Sequence, residues 1–272
     1  MKCRFPVLLT VKGRQIYVPC GHCAWCLKRI RDEWFVRLKY EGSKALFRSF
    51  CTFTYRDEDL PFEINEETGE LVPSVSIRDV QLFHKRCRKD LNFRFMLCSE
   101  YGPKTGRPHY HAVYFHNTPY NFASHWPYGD NNSQYPAKDG SYKYICKYIL
   151  KGSNVPECAA SNFRVMSRRP GLGDGANYDP DQHFWLLENG AKAFIPRYYK
   201  KKYLARLDEQ LRSVYQDKTL DYLHQLPQHD QFHKVYDRKL QDGSFDPSYS
   251  FEQWLYDLYG RDFNKQVQIN SK

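Results

Sequence analysis

Two strand-like segments joined by a short turn constrain the fold of this chain more than any other feature. "FRFMLCSEY" (93–101) and "HYHAVYFH" (109–116) are rich in aromatic and apolar residues, and "GPKTGRP" between them is dense in Gly and Pro. A turn this short connects strands that run in opposite directions. The pattern therefore predicts an antiparallel hairpin within a larger sheet.

Further strand and helix patterns flank this hairpin in a regular order. The segments 49–57 and 163–171 have the composition of strands, and the segments 76–91 and 141–152 have the pattern of amphipathic helices. The order is strand, helix, strand, strand, helix, strand. It predicts an α+β fold built on a split βαβ unit, with a central antiparallel sheet and helices on one face.

The chain length of 272 residues allows one large domain with extensions. We expect a Cys-rich knuckle and a helix over residues 1–48, the main domain over residues 49–200, and a helical extension over residues 201–272. No apolar run is long enough to span a bilayer, and the first residues lack a signal-peptide cleavage pattern. The sequence therefore predicts no membrane association.

Two histidines, His109 and His111, stand one residue apart in the second strand of the hairpin. Because side chains alternate across a strand, they share one face with Val113 and Phe115, while Tyr110 lies on the other face. The two imidazoles can converge at the end of the strand and hold a metal ion. The alternative is a pair of partly exposed histidines with ordinary hydrogen bonds.

Glu100 near the end of the first strand adds a candidate third ligand. If the turn closes a hairpin, Glu100 lies opposite His109 or His111, depending on the register. Two imidazoles and one carboxylate leave coordination positions open for water or phosphate. This donor set suits Mn²⁺ or Mg²⁺, and imidazole favours Mn²⁺.

A tyrosine pair marks the segment "YKYICKYILKG". Tyr144 and Tyr148 are four residues apart and therefore lie on one helical face, with Lys147 and Lys151 beside them. Phenols can act as nucleophiles when a nearby cation or base activates them, and lysines can stabilise the developing charge. The alternative is a helix that uses Tyr for packing and Lys for solubility.

The cysteines suggest a second metal site. Cys20, Cys23 and Cys26 have C-x₂-C-x₂-C spacing, and Cys3 lies upstream as a fourth ligand. A structural Zn²⁺ is the first interpretation, because Zn²⁺ takes four tetrahedral ligands. Free buried thiols and an iron–sulfur cluster remain as alternatives. An odd total of nine cysteines fits a reducing cytosol better than a disulfide framework.

The charge balance favours a polyanionic partner. Lys and Arg number 41 against 31 Asp and Glu, which gives a formal net charge of +10. Aromatic residues make up 17% of the chain, and mixtures such as "PRYYKKKYL" suit a groove for single-stranded nucleic acid, where bases stack on rings. The candidate DNA contacts are Arg107, Arg168, Arg169, Lys200 and Lys201.

Taken in order, three motifs resemble those of the HUH (His-hydrophobe-His) rolling-circle nucleases: "FCTFTYRDEDLP", "SEYGPKTGRPHYHAVYF" and "YICKYILK". "VPCGHCAWC", "MSRRPGLG" and "PRYYKKKYL" are similar to the replication initiators of small single-stranded DNA phages, the microviruses of the gokushovirus type. The resemblance covers roughly residues 1 to 204. A lone His pair is a weak motif, but the ordered set with a two-tyrosine helix is specific.

The resemblance implies an HUH-type endonuclease domain in which His109, His111 and Glu100 are metal ligands and Tyr144 and Tyr148 are nucleophiles. Such an enzyme nicks origin DNA, becomes joined to the 5′ phosphate and leaves a 3′ hydroxyl to prime synthesis. The second tyrosine cuts the regenerated origin, and the strands rejoin as a circle. We expect the protein to act on single-stranded and origin DNA in the cytoplasm of the bacterial host, with host helicase and replication machinery.

Two rival functions stay open. Another HUH enzyme, a relaxase or a transposase, would share the metal and tyrosine chemistry. A non-catalytic zinc-knuckle protein that binds single-stranded nucleic acid would need neither His109 nor Tyr144.

Overall fold

The computed structural model describes Cys3 and residues 5–103, 105–130, 132–148, 155–179, 185–187 and 190–206. The chain divides into two compact units: residues 1–30 with 200–272, and residues 31–199. The expected boundaries at residues 48 and 200 stay a prediction. Most of the expected C-terminal extension, residues 207–272, lies outside the described residues.

The described helices and strands follow the predicted alternation closely. In chain order they are β1 (Val7–Val11), β2 (Arg14–Val18), α1 (Ala24–Ser43), β3 (Phe47–Phe53), β4 (Phe62–Ile64), β5 (Leu71–Pro73), α2 (Ile77–Cys87), β6 (Phe93–Tyr101), β7 (Pro108–His116), β8 (Ser133–Pro136), α3 (Asp139–Tyr148), β9 (Arg164–Met166), β10 (Trp185–Leu186), β11 (Lys192–Ala193) and α4 (Arg197–Arg206). None of these helices is long and apolar enough to cross a membrane.

A five-stranded antiparallel sheet forms the centre of the larger unit, in the order β8-β3-β7-β6-β9. The predicted hairpin is confirmed as β6 paired with β7. Because β3 and β6 both run antiparallel to β7, they run in the same direction on its two sides. Helix α2 carries the chain from β3 across to β6.

One face of the sheet builds the main core with α2. Tyr110, Ala112 and Tyr114 of β7 are fully buried there, as the alternation of side chains requires. Phe53 and Phe83 meet edge to face with ring centroids 5.1 Å apart, which joins β3 to α2. Aromatic rings supply most of this core because each buries a large apolar area.

The hydroxyl of Tyr110 also ties β7 to the beginning of α2. It accepts a hydrogen bond from the backbone N–H of Ser76 at 2.8 Å and lies 2.9 Å from the hydroxyl of Tyr55. Ser76 is the N-cap residue of α2, and its side chain accepts a hydrogen bond from the Asp79 N–H, which would otherwise lack a partner in the helix. Tyr55 in turn donates to the Asp79 carboxylate.

The prediction of helices on one face is wrong, because helices cover both faces. Helix α3 lies on the face opposite α2, where Tyr142 contacts the ring of Phe115 at 6.1 Å. Helix α1 reaches that face too, through an ion pair between Glu41 and Arg94. The physical reason is that β7 carries buried apolar side chains on both of its faces, as Val113 shows, and each face has to be kept from water.

Two further elements give little signal in the sequence. Strand β8 is polar, and the pairing of Gln134 with Cys51 adds it to the sheet edge. The polar segment 61–75 forms a hairpin of its own, because β4 pairs antiparallel with β5.

A buried histidine predicts how stability depends on pH. His84 lies 2.9 Å from the Tyr114 hydroxyl, and burial, followed by the nearby Arg88 charge, lowers its pKa to about 3 from the ordinary 6.5. Between these pH values the unfolded chain takes up a proton that the folded chain refuses, so this contribution is lost as pH falls. Between pH 7 and pH 5.5 we expect the wild-type free energy of unfolding to fall by about 1 kcal/mol more than that of His84→Gln, measured by urea denaturation. Equal losses in both proteins would contradict this origin.

Candidate active site

The hairpin brings the predicted carboxylate to the predicted histidines. Glu100 pairs with His109 across the ladder, yet its carboxylate Oε2 lies 3.3 Å from Nε2 of His111, the diagonal neighbour. Both side chains of this contact are largely buried, with 12% and 8% exposure. The register that the sequence left open is therefore resolved, and the carboxylate faces the second imidazole.

Hydrogen bonds hold both imidazoles by their Nδ1 atoms. Nδ1 of His109 lies 3.0 Å from the Pro108 carbonyl oxygen, and Nδ1 of His111 lies 3.2 Å from the Thr52 hydroxyl. A carbonyl only accepts, so His109 carries its proton on Nδ1 and leaves the Nε2 lone pair available. Burial, more than any other cause, lowers the pKa of His109 and favours the neutral ring.

The two tyrosines of α3 lie against His111. The ring of Tyr148 stacks on the imidazole with centroids 5.1 Å apart and an interplanar angle of 22°, and the ring of Tyr144 meets it edge-on at the same distance. The Tyr148 hydroxyl donates to the Tyr144 hydroxyl at 2.7 Å. The four-residue spacing on the helix produces this contact, as the sequence predicted.

The environments of the two phenols differ. Tyr144 is 41% exposed, whereas Tyr148 is half-buried. Burial first, and then hydrogen bonds to Tyr144 and Glu100, raise the pKa of Tyr148 well above its ordinary value. Both hydrogen bonds favour the neutral phenol, so Tyr148 is protonated in this arrangement and needs a cation or a base to become a nucleophile.

Two site residues escaped the sequence analysis, and both come from β3. Phe50 stacks on His111 with centroids 6.1 Å apart and lies edge-on to Tyr144 at 5.7 Å. Thr52 holds Nδ1 of His111, as described above. The signal was the two-residue alternation of β3, which places Thr52 directly opposite His111, but it becomes usable only once the pairing of β3 with β7 is known.

The predicted basic residues have varied positions. Lys147 is exposed on α3, and Lys151 lies outside the described residues. Arg107 donates to the Asp57 carboxylate and to the Tyr55 carbonyl, both at 2.6 Å, so its guanidinium holds the site hairpin to the segment after β3. The remaining candidates are exposed or half-buried, Arg168 and Arg169 after β9 and Lys200 and Lys201 in α4.

The donor set of the histidine site has the right chemistry for a divalent cation, but its atoms are not drawn together into a closed set. Among the described residues, the ligand atoms of Glu100, His109 and His111 do not all lie within 4.8 Å of one another. Glu100 and His111 instead contact each other directly. Two neutral imidazole nitrogens and a carboxylate are nevertheless ligands that Mn²⁺ accepts.

The four predicted cysteines do form a closed cluster. Within the part of the chain that the structure describes, they are the group of three or more candidate ligands whose atoms all lie within 4.8 Å of one another. The Sγ atom of Cys3 lies 3.6 Å from that of Cys20 and 3.8 Å from that of Cys23, and the Sγ atoms of Cys20 and Cys26 are 3.9 Å apart. Burial raises the pKa of Cys26 to about 11. All nine cysteines are free thiols, so none of these contacts is a disulfide.

Backbone amides point at the same sulfurs. The N–H of Cys20 donates to Cys3 Sγ at 3.3 Å, and the N–H groups of His22 and Cys23 donate to Cys20 Sγ at 3.4 and 3.3 Å. The tight turn that aims these amides contains Gly21, whose positive φ of 84° suits glycine. Such donors stabilise sulfur that carries negative charge.

Comparison with known proteins gives the site its context. The family of replication-associated proteins of the ORF2 type matches residues 48–153, a range that contains the hairpin and the described part of α3. Replication-associated protein VP4 of Bdellovibrio phage phiMH2K is 24% identical over 231 residues, which cover 68% of this chain and 67% of that protein. No solved structure matches the chain.

Two further relatives have related names. Replication-associated protein ORF4 of Chlamydia phage 1 is 23% identical over 228 residues, covering 70% of this chain and 54% of that protein. Replication-associated protein ORF2 of Spiroplasma virus 4 is 31% identical over 101 residues, covering 36% of this chain and 31% of that protein. The chain thus spans about half or less of these two relatives.

The chain therefore belongs with the replication-associated proteins of phages. Within that class its relatives come from microviruses, and the family is that of the microvirus replication initiators.

The tautomer of His109 provides a direct check of the site geometry. Because Nδ1–H donates to a carbonyl and the pKa of the ring is lowered, we expect a neutral ring at pH 7 with the proton on Nδ1 and an unprotonated Nε2. Two-bond ¹H–¹⁵N correlation spectra of the metal-free protein, with His109→Gln to assign the signals, distinguish the two tautomers. A proton on Nε2 would mean that the Pro108 contact is wrong.

Proposed function

We propose that the protein is a rolling-circle replication initiator, an HUH-type endonuclease that nicks and rejoins single-stranded DNA at the viral origin. The observation that carries this proposal is the packing of two hydrogen-bonded tyrosines on His111, beside Glu100. A tyrosine pair needs no such neighbours merely to cover a sheet. The kinship with replication-associated proteins of microviruses supports the same role.

The fold supports the HUH assignment independently of the side chains. Strands β3 and β6 lie on either side of β7, and α2 connects them, which is the topology of a split βαβ unit. The histidine pair lies on the middle strand. Helix α3 lies over the histidine face, where its tyrosines can reach a phosphate placed beside the imidazoles.

The proposed chemistry is a transesterification by tyrosine. The phenolic oxygen attacks phosphorus, the bond from phosphorus to the 3′ oxygen breaks, and the departing oxygen takes up a proton as a 3′ hydroxyl. The phosphodiester becomes a 5′-phosphotyrosine, so the number of phosphoester bonds is unchanged and no external energy source is needed. Rejoining is the same reaction in reverse, with a 3′ hydroxyl as nucleophile.

We assign the metal ligands to His109, His111 and Glu100. A bound Mn²⁺ or Mg²⁺ would supply Lewis-acid polarisation of the scissile phosphate. Pro108 and Thr52 orient the imidazoles through Nδ1, a type of support that commonly determines metal affinity. Lys147 and Lys151 are assigned the stabilisation of developing negative charge.

The two tyrosines have distinct assignments. Tyr148 stacks on His111 and hydrogen-bonds to Glu100, so it is the proposed first nucleophile. Tyr144 is more exposed and is proposed to cut the regenerated origin after one circuit. Their shared hydrogen bond keeps both hydroxyls within one site.

The proposed partners are single-stranded and origin DNA, with a host helicase and the host replication machinery, in the cytoplasm of the bacterial host. The net charge of +10 supports attraction to DNA. Phosphate contacts are assigned to the exposed Arg168, Arg169 and Lys201 and to the half-buried Lys200. Arg107 is assigned a DNA contact as well, through the edge of a guanidinium that Asp57 already holds.

A nicking assay tests the proposed reaction. The full-length protein is incubated with oligonucleotides tiling its own genome, with Mn²⁺ or EDTA, and adducts are identified by denaturing gels and mass spectrometry. We expect a Mn²⁺-dependent 5′-phosphotyrosyl adduct, lost in His111→Ala. Tyr148→Phe should slow the first cleavage at least about 10³-fold, because it removes the nucleophile, whereas Tyr144→Phe should cleave but fail to join strands.

Tyr135→Phe is the matched control, since this exposed tyrosine lies on β8. It should cleave like wild type. Tight binding without cleavage of any oligonucleotide would sink the nuclease proposal and favour the non-catalytic binding protein. Cleavage at a host or plasmid sequence in place of the phage origin would favour a relaxase or a transposase.

We also propose that the cysteine cluster binds a structural Zn²⁺. A tetrahedral zinc ion with Zn–S bonds of about 2.3 Å separates its sulfurs by roughly 3.8 Å. The sulfur separations of 3.6 to 3.9 Å in the cluster bracket that value. Sulfurs this close surround one ion rather than an iron–sulfur cluster, and the amide donors suit thiolate ligands.

Elemental analysis tests the zinc site. Protein purified without added metal should contain about one zinc per chain by mass spectrometry, since a structural site binds tightly and holds its local fold together. Cys26→Ser should lose the ion, while Cys158→Ser, which changes an exposed cysteine outside the cluster, should keep it. Iron in the same ratio would replace zinc as the assigned ion, and full metal content in Cys26→Ser would refute the site.

A further inference from the structure

The segment between β3 and α2 is strongly acidic in a basic chain. Residues 57–70 contain seven Asp and Glu residues and no Lys or Arg, whereas the whole chain carries a net charge of +10. We call residues 57–73 the acidic arm. Its β4 and β5 form a two-stranded hairpin of their own, outside the central sheet. A surface of this charge repels DNA phosphates, so the proposed DNA chemistry gives it no role.

The acidic arm also exposes apolar side chains on one face. Ile64 pairs with Leu71, and Phe62 pairs with Pro73, so these four side chains share a face of the hairpin. Phe62, Ile64 and Leu71 are 44%, 63% and 62% exposed. An isolated two-stranded hairpin with an exposed apolar face is marginally stable, and such faces commonly mark contacts with another molecule.

A complementary surface lies on α2 of the same unit. A cavity of about 290 Å³ opens between this helix and strands β6 and β9, and its lining includes Val80, Phe95 and Val165. Lys85 and Arg88 also line it, and both are exposed. We call this cavity the basic groove. Two more exposed cations, Arg86 and Lys89, extend its positive charge along the end of α2.

We propose that the acidic arm of one copy of the protein docks into the basic groove of a second copy. The apolar face of the arm would cover Val80, Phe95 and Val165, and Glu63 and Glu70 would pair with Lys85 and Arg88. The second copy is the occupant because both halves of the contact are present in this chain with opposite charge. The arm's own apolar side chains remain exposed in the structure, so it is not docked in the groove of its own copy.

The symmetry of the contact follows from its chemistry. The arm and the groove are different surfaces, so each copy uses its arm on one neighbour and its groove on another. Such head-to-tail contacts build chains of copies unless the rotation between neighbours closes a ring. Nucleic acid is a poorer occupant of the groove, because phosphates would pair with the cations but leave the apolar lining uncovered.

Sedimentation velocity tests the proposal on the full-length protein without DNA. We expect the mean mass to rise with concentration from about 1 to about 100 µM, the range of a small, transient interface. Association should weaken with added salt, because the screening length falls from about 30 Å at 0.01 M to about 10 Å at 0.1 M. A protein that stays monomeric throughout this range at low salt would overturn the proposal.

Charge reversal on each half identifies the contact. Glu63→Lys with Glu70→Lys alters the arm, Lys85→Glu with Arg88→Glu alters the groove, and each double variant alone should associate at least about tenfold more weakly. Mixed in equal amounts, the two variants should associate again, since each offers the other a surface of opposite charge. Glu157→Lys and Lys138→Glu, at exposed sites outside both surfaces, should associate like wild type.

Thermal melts of each variant confirm folding, and two results contradict the proposal. Unchanged association in either double variant would mean that another surface joins the copies. Loss of oligonucleotide binding in the groove variant, with no restoration of association on mixing, would make the groove a nucleic-acid surface.

Discussion

The pairing of β6 with β7 is the constraint on which the rest of the structure depends. With Glu100 opposite His109, the pleat of the hairpin directs both histidines and the carboxylate to one face and Tyr110 to the other. The core that α2 completes then requires this register, because a slip by one residue would exchange imidazoles for phenol rings. The packing of the core and the composition of the site are thus fixed by the same backbone hydrogen bonds.

The sequence predicted this hairpin, its strand bounds and the tyrosine helix for local reasons. Alternation, turn chemistry and helical spacing each act within about ten residues, and they were sufficient to bring Glu100, His111 and Tyr148 onto one face. What the sequence could not supply depends on contacts between distant segments. The polar strand β8 is held by its pairing with β3, and the ion pair of Arg107 with Asp57 joins residues 50 positions apart.

The error about the helices has a similar cause. The sequence showed which residues of β7 face each side, but not that both sides were apolar enough to need a cover. Val113 and Phe115 are buried as fully as the aromatic residues behind them, so α3 and α1 cover the histidine face. That cover is also what brings the tyrosines to the imidazoles, and the burial of Tyr148 follows from it.

The hydroxyl of Tyr110 gives the spacer between the two histidines a second significance. A Phe at this position would fill the core equally well, but it could not accept the Ser76 amide or contact Tyr55. The first turn of α2 and the height of the histidine strand are therefore one mechanical unit, joined through the sheet by a single oxygen. Sequence drift at Ser76, Tyr55 or Asp79 is consequently felt at the imidazoles, although none of these residues faces them.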